Sequence, residues 1–396
     1  MKFSRLLVLT LITSTIWLAA ATPAIAQGGS GLPPDVYADS GNRLPLPMRD
    51  ELDDKHKKSY DEAFARTNSV EGLRGMAGIL LHGSSGEIRF ESPAGRRLTE
   101  LAILVGARHA EQNFEWSLHL DEALRQGLEK NIIDIVRLKQ PPVGIGEKET
   151  AIITLGREMA EQHRVSAQTY AHALKALGKV ALVDMAITLA TRANETPLIW
   201  VDQHMPLDYV SVLPLPINII DSPPDIFPQS RNRVRQREGQ RPPTPGRTLA
   251  PYGMGPGQIA LTQAGGKYLD IMVGKPLRAL ALLVTARELD QQTMWTEHEP
   301  EARKLGLSAE AIEVVRDRKP TTGLPDKEAI IIQMGREMLI VHHVAPETYA
   351  KAVDLFGERD ALDLAAEIGE HAEEAGLLNI FDQQVLAGVK PLLPMQ

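Results

Sequence analysis

Glu115 and His119 stand four residues apart in a stretch of helical spacing, so they share one face and can touch. A carboxylate beside an imidazole favours the imidazolium, which gives a group able to donate or accept a proton near neutral pH. The same spacing also describes an ordinary surface pair, so its surroundings decide between the two. Upstream, Glu100 and Arg108 bracket the apolar residues Leu101, Ala102, Ile103, Leu104, Val105 and Ala107. At 100° per residue the two charges lie about 80° apart and two turns along, so they could face one pocket. A charged group that close to a core must be paired, solvated or functional. Trp116 either lines such a pocket or belongs to the core.

These side chains need helices to carry them. The spacing predicts helices over Arg49 to Thr67, Arg96 to His109, Asn113 to Gly127, Glu147 to Arg164, Ser166 to Gly178 and Lys179 to Gln203, with no convincing strand pattern. The expected fold class is all-α. The helix holding Glu100 is apolar on every face and is expected to be buried all round.

An internal repeat runs at a constant shift of 179 residues. It pairs Leu98 to Leu128 with Leu277 to Leu307, Arg108 with Arg287, Trp116 with Trp295, His119 with His298, and Gly156-Arg157-Glu158-Met159 with Gly335-Arg336-Glu337-Met338. At a slightly larger shift, Pro33-Pro34-Asp35 and Asn42-Arg43 answer Pro223-Pro224-Asp225 and Asn232-Arg233. Each repeat therefore carries an extended N-terminal arm, and the boundary is expected near Ser222. Arg231, Arg233, Arg235, Arg237 and Arg241 in the second arm read as a linker or wrapping arm, or else as an anion patch. The expected division is residues 1–26 as a signal peptide, 27–222 as the first domain and 223–396 as the second.

The signal peptide is expected because Lys2 and Arg5 precede an apolar run of about 16 residues that ends in Ala24-Ile25-Ala26, a small-x-small cleavage site. That run is shorter than the roughly 20 residues a bilayer-spanning helix needs. A periplasmic or secreted protein without stable membrane insertion is the expectation. With 396 residues, 43% of them hydrophobic and 24% charged, the chain falls in the globular class. Formal net charge is −8, and −10 once Lys2 and Arg5 are removed, which argues against nucleic acid as a partner. The chain has no cysteine, so thiol peroxidase, disulfide exchange and cysteine nucleophiles are excluded.

Taken together, Arg97-Leu98-Thr99-Glu100-Leu101, then Glu115-Trp116-Ser117-Leu118-His119, then Gly127-Leu128 resemble the carboxymuconolactone decarboxylases and their alkylhydroperoxidase D-like relatives. The resemblance covers most of each repeat, including the Pro-Pro-Asp arm. In the peroxidase branch of that family two cysteines sit seven and four residues before the motif histidine; here those places hold Gln112 and Glu115. What the resemblance implies is the decarboxylase branch: acid–base catalysis without metal or organic cofactor, in compact helical domains that associate as trimers or hexamers. On that footing Glu100, Glu115 and His119 are the expected catalytic residues. Arg108 and Trp116 are the expected substrate-binding residues, toward a small carboxylate or lactone. A trimer of two-domain chains is the expected assembly.

The second repeat departs from the pattern, with Ala279 nineteen before His298 and Met294 four before it. It is expected to be a structural or regulatory partner, or else a second site of altered chemistry. His163, His342, His343 and His371 form no HExxH arrangement, and Gly253, Gly255 and Gly257 lack the Lys and Ser/Thr of a phosphate loop, so neither a metal nor a cofactor site is expected. The rival to the enzyme is a non-catalytic periplasmic ligand-binding or assembly protein that keeps the fold for its shape.

Overall fold

The helices form where the apolar spacing places them, and the computed structural model describes residues 32–202, 213, 225–227, 233 and 269–394. Among these the architecture is all-α, with no strand. The expected signal peptide, the boundary near Ser222, four of the five arm arginines and the Gly253 turn lie outside the described residues. After α1 (Asp54–Thr67), α2 (Met76–Leu80) and α3 (Ile88–Glu91), six helices follow: α4 (Arg96–His109), α5 (Asn113–Arg125), α6 (Lys130–Arg137), α7 (Glu147–Gln162), α8 (Ala167–Leu177) and α9 (Lys179–Asp202).

Six more answer them: α10 (Lys275–Glu288), α11 (Gln292–Lys304), α12 (Ala309–Arg316), α13 (Asp326–Arg336) extended by a π-helical turn (Glu337–Val341), α14 (Pro346–Phe356) and α15 (Glu358–Ile380). From α10 to α14 the bounds are those of α4 to α8 displaced by 179 residues, the π turn completing the counterpart of α7. The short helix α6 was not expected; its Ile132, Ile133, Ile135 and Val136 are all buried. The expected helix from Arg49 opens instead as a 3-10 turn, because Asp53 caps α1 by accepting from the His56 backbone N–H.

Helix α4 is the axis of the first repeat. Twelve consecutive residues, Leu98 to His109, are buried. Helix α7 crosses it closely at Gly156, where a Cβ would stand 2.5 Å from Val105 Cγ1; Gly335 meets Val284 in the same way at 2.6 Å. Helix α5 ends on Gly127 at φ +83° and α11 on Gly306 at φ +93°, a left-handed conformation that glycine adopts without steric cost. Helices α9 and α15 pack along each other and join the repeats, with Ala190 against Gly376 and Thr191 Oγ1 donating to Glu373 at 3.1 Å. One apolar core runs through both repeats and includes Trp116 and Trp295. No helix of the described residues is long and apolar enough to cross a membrane.

The arms dock by one mechanism. Buried Arg43 binds Asp35 at 2.7 Å, donates to the Val165 carbonyl at 2.8 Å and lies 5.1 Å over the Tyr170 ring. Arg233 binds Asp225 at 2.5 Å, donates to the Val344 carbonyl at 2.7 Å and lies 5.1 Å over the Tyr349 ring. Arg233 is thus a buried internal clamp, and belongs neither to a solvated linker nor to an anion patch. Arg43 also donates to the Ile380 carbonyl at 2.9 Å, so the first arm ties the end of α15 to the first repeat.

Arg43→Ala strands Asp35 and two buried carbonyls, and should cost about 2–4 kcal/mol. Urea unfolding should show a lower midpoint at unchanged m-value; an unchanged midpoint refutes the clamp. A second expectation concerns pH. Burial, then the charges of Lys139, Arg157 and Arg108, push His109 down to about 3, although Glu161 lies 3.5 Å away. The unfolded chain takes up this proton near pH 6.5, whereas the folded chain resists it to about 3, so this contribution is present above 6.5 and is lost as pH falls toward 3. Thermal melting from pH 7 to 5 should show the loss, and His109→Gln should flatten it.

Candidate active site

Two helix faces meet around one imidazole. Helix α4 presents Glu100 and α5 presents Glu115 and His119, with all three side chains buried. His119 Nδ1 lies 2.8 Å from Glu100 Oε2, and Nε2 lies 3.5 Å from Glu115 Oε2. A carboxylate only accepts, so the bond to Glu100 places a hydrogen on Nδ1. In the neutral ring this leaves Nε2 as the acceptor, facing Glu115. The pair four residues apart is therefore not a surface pair: it belongs to a buried three-residue relay with a member from a neighbouring helix.

Glu100 is completely buried, and cations compensate it. Arg89, from α3, donates through Nε to Glu100 Oε1 at 2.9 Å, and Arg96 Nη2 reaches the same oxygen at 3.4 Å. Arg96 also binds Glu122 and lies 4.5 Å over the Phe90 ring. Burial alone would raise the Glu100 carboxyl, but the His119 bond and charge, followed by those of Arg89, carry it below the usual carboxylate range. Glu100 therefore stays ionised. Sequence reasoning missed Arg89, Arg96 and Glu122. Arg96, four before Glu100 on one helix, was discoverable from spacing; Arg89 and Glu122 depend on helix packing.

Arg108 keeps company other than Glu100. It donates through Nε to the Arg137 carbonyl at 2.8 Å and faces Glu111 at 3.9 Å. Arg287 makes the same bond to the Arg316 carbonyl at 2.7 Å, so this arginine binds the end of the neighbouring helix in both repeats. Trp116 is fully buried in the core, and its indole N–H finds no partner among the described residues. Arg97 of the quoted motif turns outward to Glu149, at 2.5 Å, and to Glu129. Gln112, seven residues before His119, caps α5 by accepting from the Phe114 N–H at 2.7 Å.

In the second repeat Ala279 and Met294 leave His298 without the corresponding carboxylates. Among the described residues no group of three or more His, Asp or Glu is arranged to hold a metal ion. His163 faces Asp290 at 3.5 Å, and His371 faces Glu367 at 3.2 Å. Comparison with family models, curated proteins and solved structures finds no match.

The hydrogen on Nδ1 is directly observable. In nitrogen-detected NMR at a pH where the ring is neutral, His119 should show the Nδ1–H tautomer, and Glu100→Gln should shift the population toward Nε2–H. An Nε2–H majority in the unmodified chain overturns the relay.

Proposed function

We propose that the first repeat is a cofactor-free acid–base lyase that removes carbon dioxide from a small carboxylated lactone or related unsaturated acid. The observation that carries this reading is the buried His119, fixed at Nδ1 by an ionised carboxylate and facing a second carboxylate at Nε2. The substrate class comes from the resemblance to the carboxymuconolactone decarboxylases, and the chemistry agrees with it. The bond between ring carbon and carboxylate breaks, carbon dioxide leaves, and its electron pair remains as an enolate-like anion. Protonated His119 delivers its Nε2 proton to the carbon, and water returns a proton to the ring, so one proton is consumed per turnover.

Glu100 stays ionised and takes up no proton in this scheme. It holds the ring and stabilises the imidazolium, as a carboxylate behind a catalytic histidine does. Glu115 lies beside the nitrogen that gives the proton and shares its transfer. Because Arg108 is bound to the Arg137 carbonyl, substrate steering passes to the cations beside Glu100, of which Arg96 is a quarter exposed. The charged start, apolar run and Ala24-Ile25-Ala26 site support export of the chain, and the resemblance supports assembly as a trimer of two-repeat chains.

The test is carbon dioxide release from carboxymuconolactone and a panel of carboxylated lactones by the chain from Gln27 onward. His119→Ala should lower the rate by about 10²–10⁴-fold, the range of a lost general acid. Glu115→Gln should reduce kcat at preserved fold. Absence of release from every compound by a folded protein, or full activity of His119→Ala, sinks the lyase and favours the ligand-binding alternative.

A further inference from the structure

The second repeat loses its carboxylates at positions 279 and 294, yet another carboxylate faces the same place. Glu367 comes from α15 rather than α10 and is 1% exposed. It lines a cavity of about 370 Å³ together with Ala279, His298, Lys275, Arg278 and His371. Its Oε1 accepts from Arg278 Nε at 2.6 Å and lies 3.2 Å from His371 Nε2. Its Oε2 is buried and has no hydrogen-bond partner among the described residues. A buried carboxylate oxygen without a donor is costly unless a donor arrives, which marks it as an acceptor held ready for a ligand.

The cavity also holds cations for an acid. Lys275 sits exposed on its wall, with no ion pair among the described residues. Arg278 gives Nε to Glu367 and faces Asp270 through Nη1 at 3.5 Å. His371 stands between Glu367 and Glu374, the latter at 3.7 Å. Burial works against its proton, but the bonds to these two carboxylates push it up to about 9, so near neutrality it is a fixed cation. His298, lowered by burial, is a neutral ring on the same wall.

We propose that the second repeat carries its own ligand site, in which Lys275 and Arg278 hold the carboxylate of a small hydroxy acid, Glu367 accepts its hydroxyl hydrogen, and His298 lies against it. A neutral hydroxyl fits Glu367 better than an ammonium does, because Arg278 and His371 already supply two cations there. This site is independent of the relay in the first repeat, since it uses other residues on other helices.

The test uses the intact two-repeat chain and L-malate as probe, with succinate as the hydroxyl-free counterpart and L-aspartate as the ammonium counterpart. Ring signals of His298, assigned by their loss in His298→Asn, are followed by NMR. Malate should shift them saturably and bind at least fivefold more tightly than either counterpart. Lys275→Ala, an exposed change that leaves the core intact, should weaken malate fivefold or more. Glu367→Gln should abolish the preference for malate over succinate, and His119→Ala should leave binding unchanged. No saturable shift of His298, tighter binding of aspartate, or full affinity in Lys275→Ala overturns the proposal. The lyase assay on the first repeat is decided separately.

Discussion

Placing an ionised carboxylate in a helix buried along twelve consecutive residues constrains much of what surrounds it. An unpaired carboxylate in such a position costs several kcal/mol or more, and in practice takes up a proton instead. Glu100 avoids this because Arg89, Arg96 and His119 converge on its two oxygens. Each comes from a different place: α3, the start of α4, and α5. Those elements must therefore pack in one arrangement for the charge to be tolerated, and the same arrangement fixes the orientation of the imidazole. The contacts that compensate the charge are thus the same contacts that orient the ring.

Around this centre both repeats use the same solutions where only packing is at stake. A glycine lets α7 approach α4 and lets α13 approach α10; an arginine closes the end of α6 and of α12; an arginine over a tyrosine ring docks each arm. The repeats differ where charge is buried. With Ala279 at the position of Glu100, the second repeat no longer needs a cation pair there. Its counterpart of Arg96 is Lys275, which is exposed, and its internal carboxylate reaches in from α15.

The helices were legible because their cause is local. Apolar spacing, Gly127 at a helix end and the 179-residue repeat are all properties of contiguous sequence, and they placed α4, α5, α7, α8 and α9 within a few residues. Helix α6 escaped because eight residues between loops give too short a period. At the site, Glu115 and His119 were legible as a pair on one helix, whereas the bond from His119 to Glu100 depends on how α5 crosses α4. Arg108 shows the opposite case. Helix geometry sets only where its Cα lies relative to Glu100; a long side chain two turns away is free to turn toward another element, and the Arg137 carbonyl took it. Trp116 joined the core, as a fully buried ring at a repeated position does.

The two repeats bury a carboxylate on different helices, Glu100 on α4 and Glu367 on α15. His119 and His298 keep their helix position, while the carboxylate bonded to the first comes from α4 and the buried carboxylate that shares the second's cavity comes from α15 and bonds His371. An imidazole needs a defined ring plane, which the helix carrying it supplies through its rotamer. A carboxylate needs only to bring an oxygen to the right point, and a neighbouring helix can do that from the opposite side. The long joint between α9 and α15 holds the second arrangement in register, because Glu367 and His371 lie one turn apart on the same helix whose Gly376 packs on Ala190. The contact that joins the repeats therefore also positions the polar groups of the second pocket.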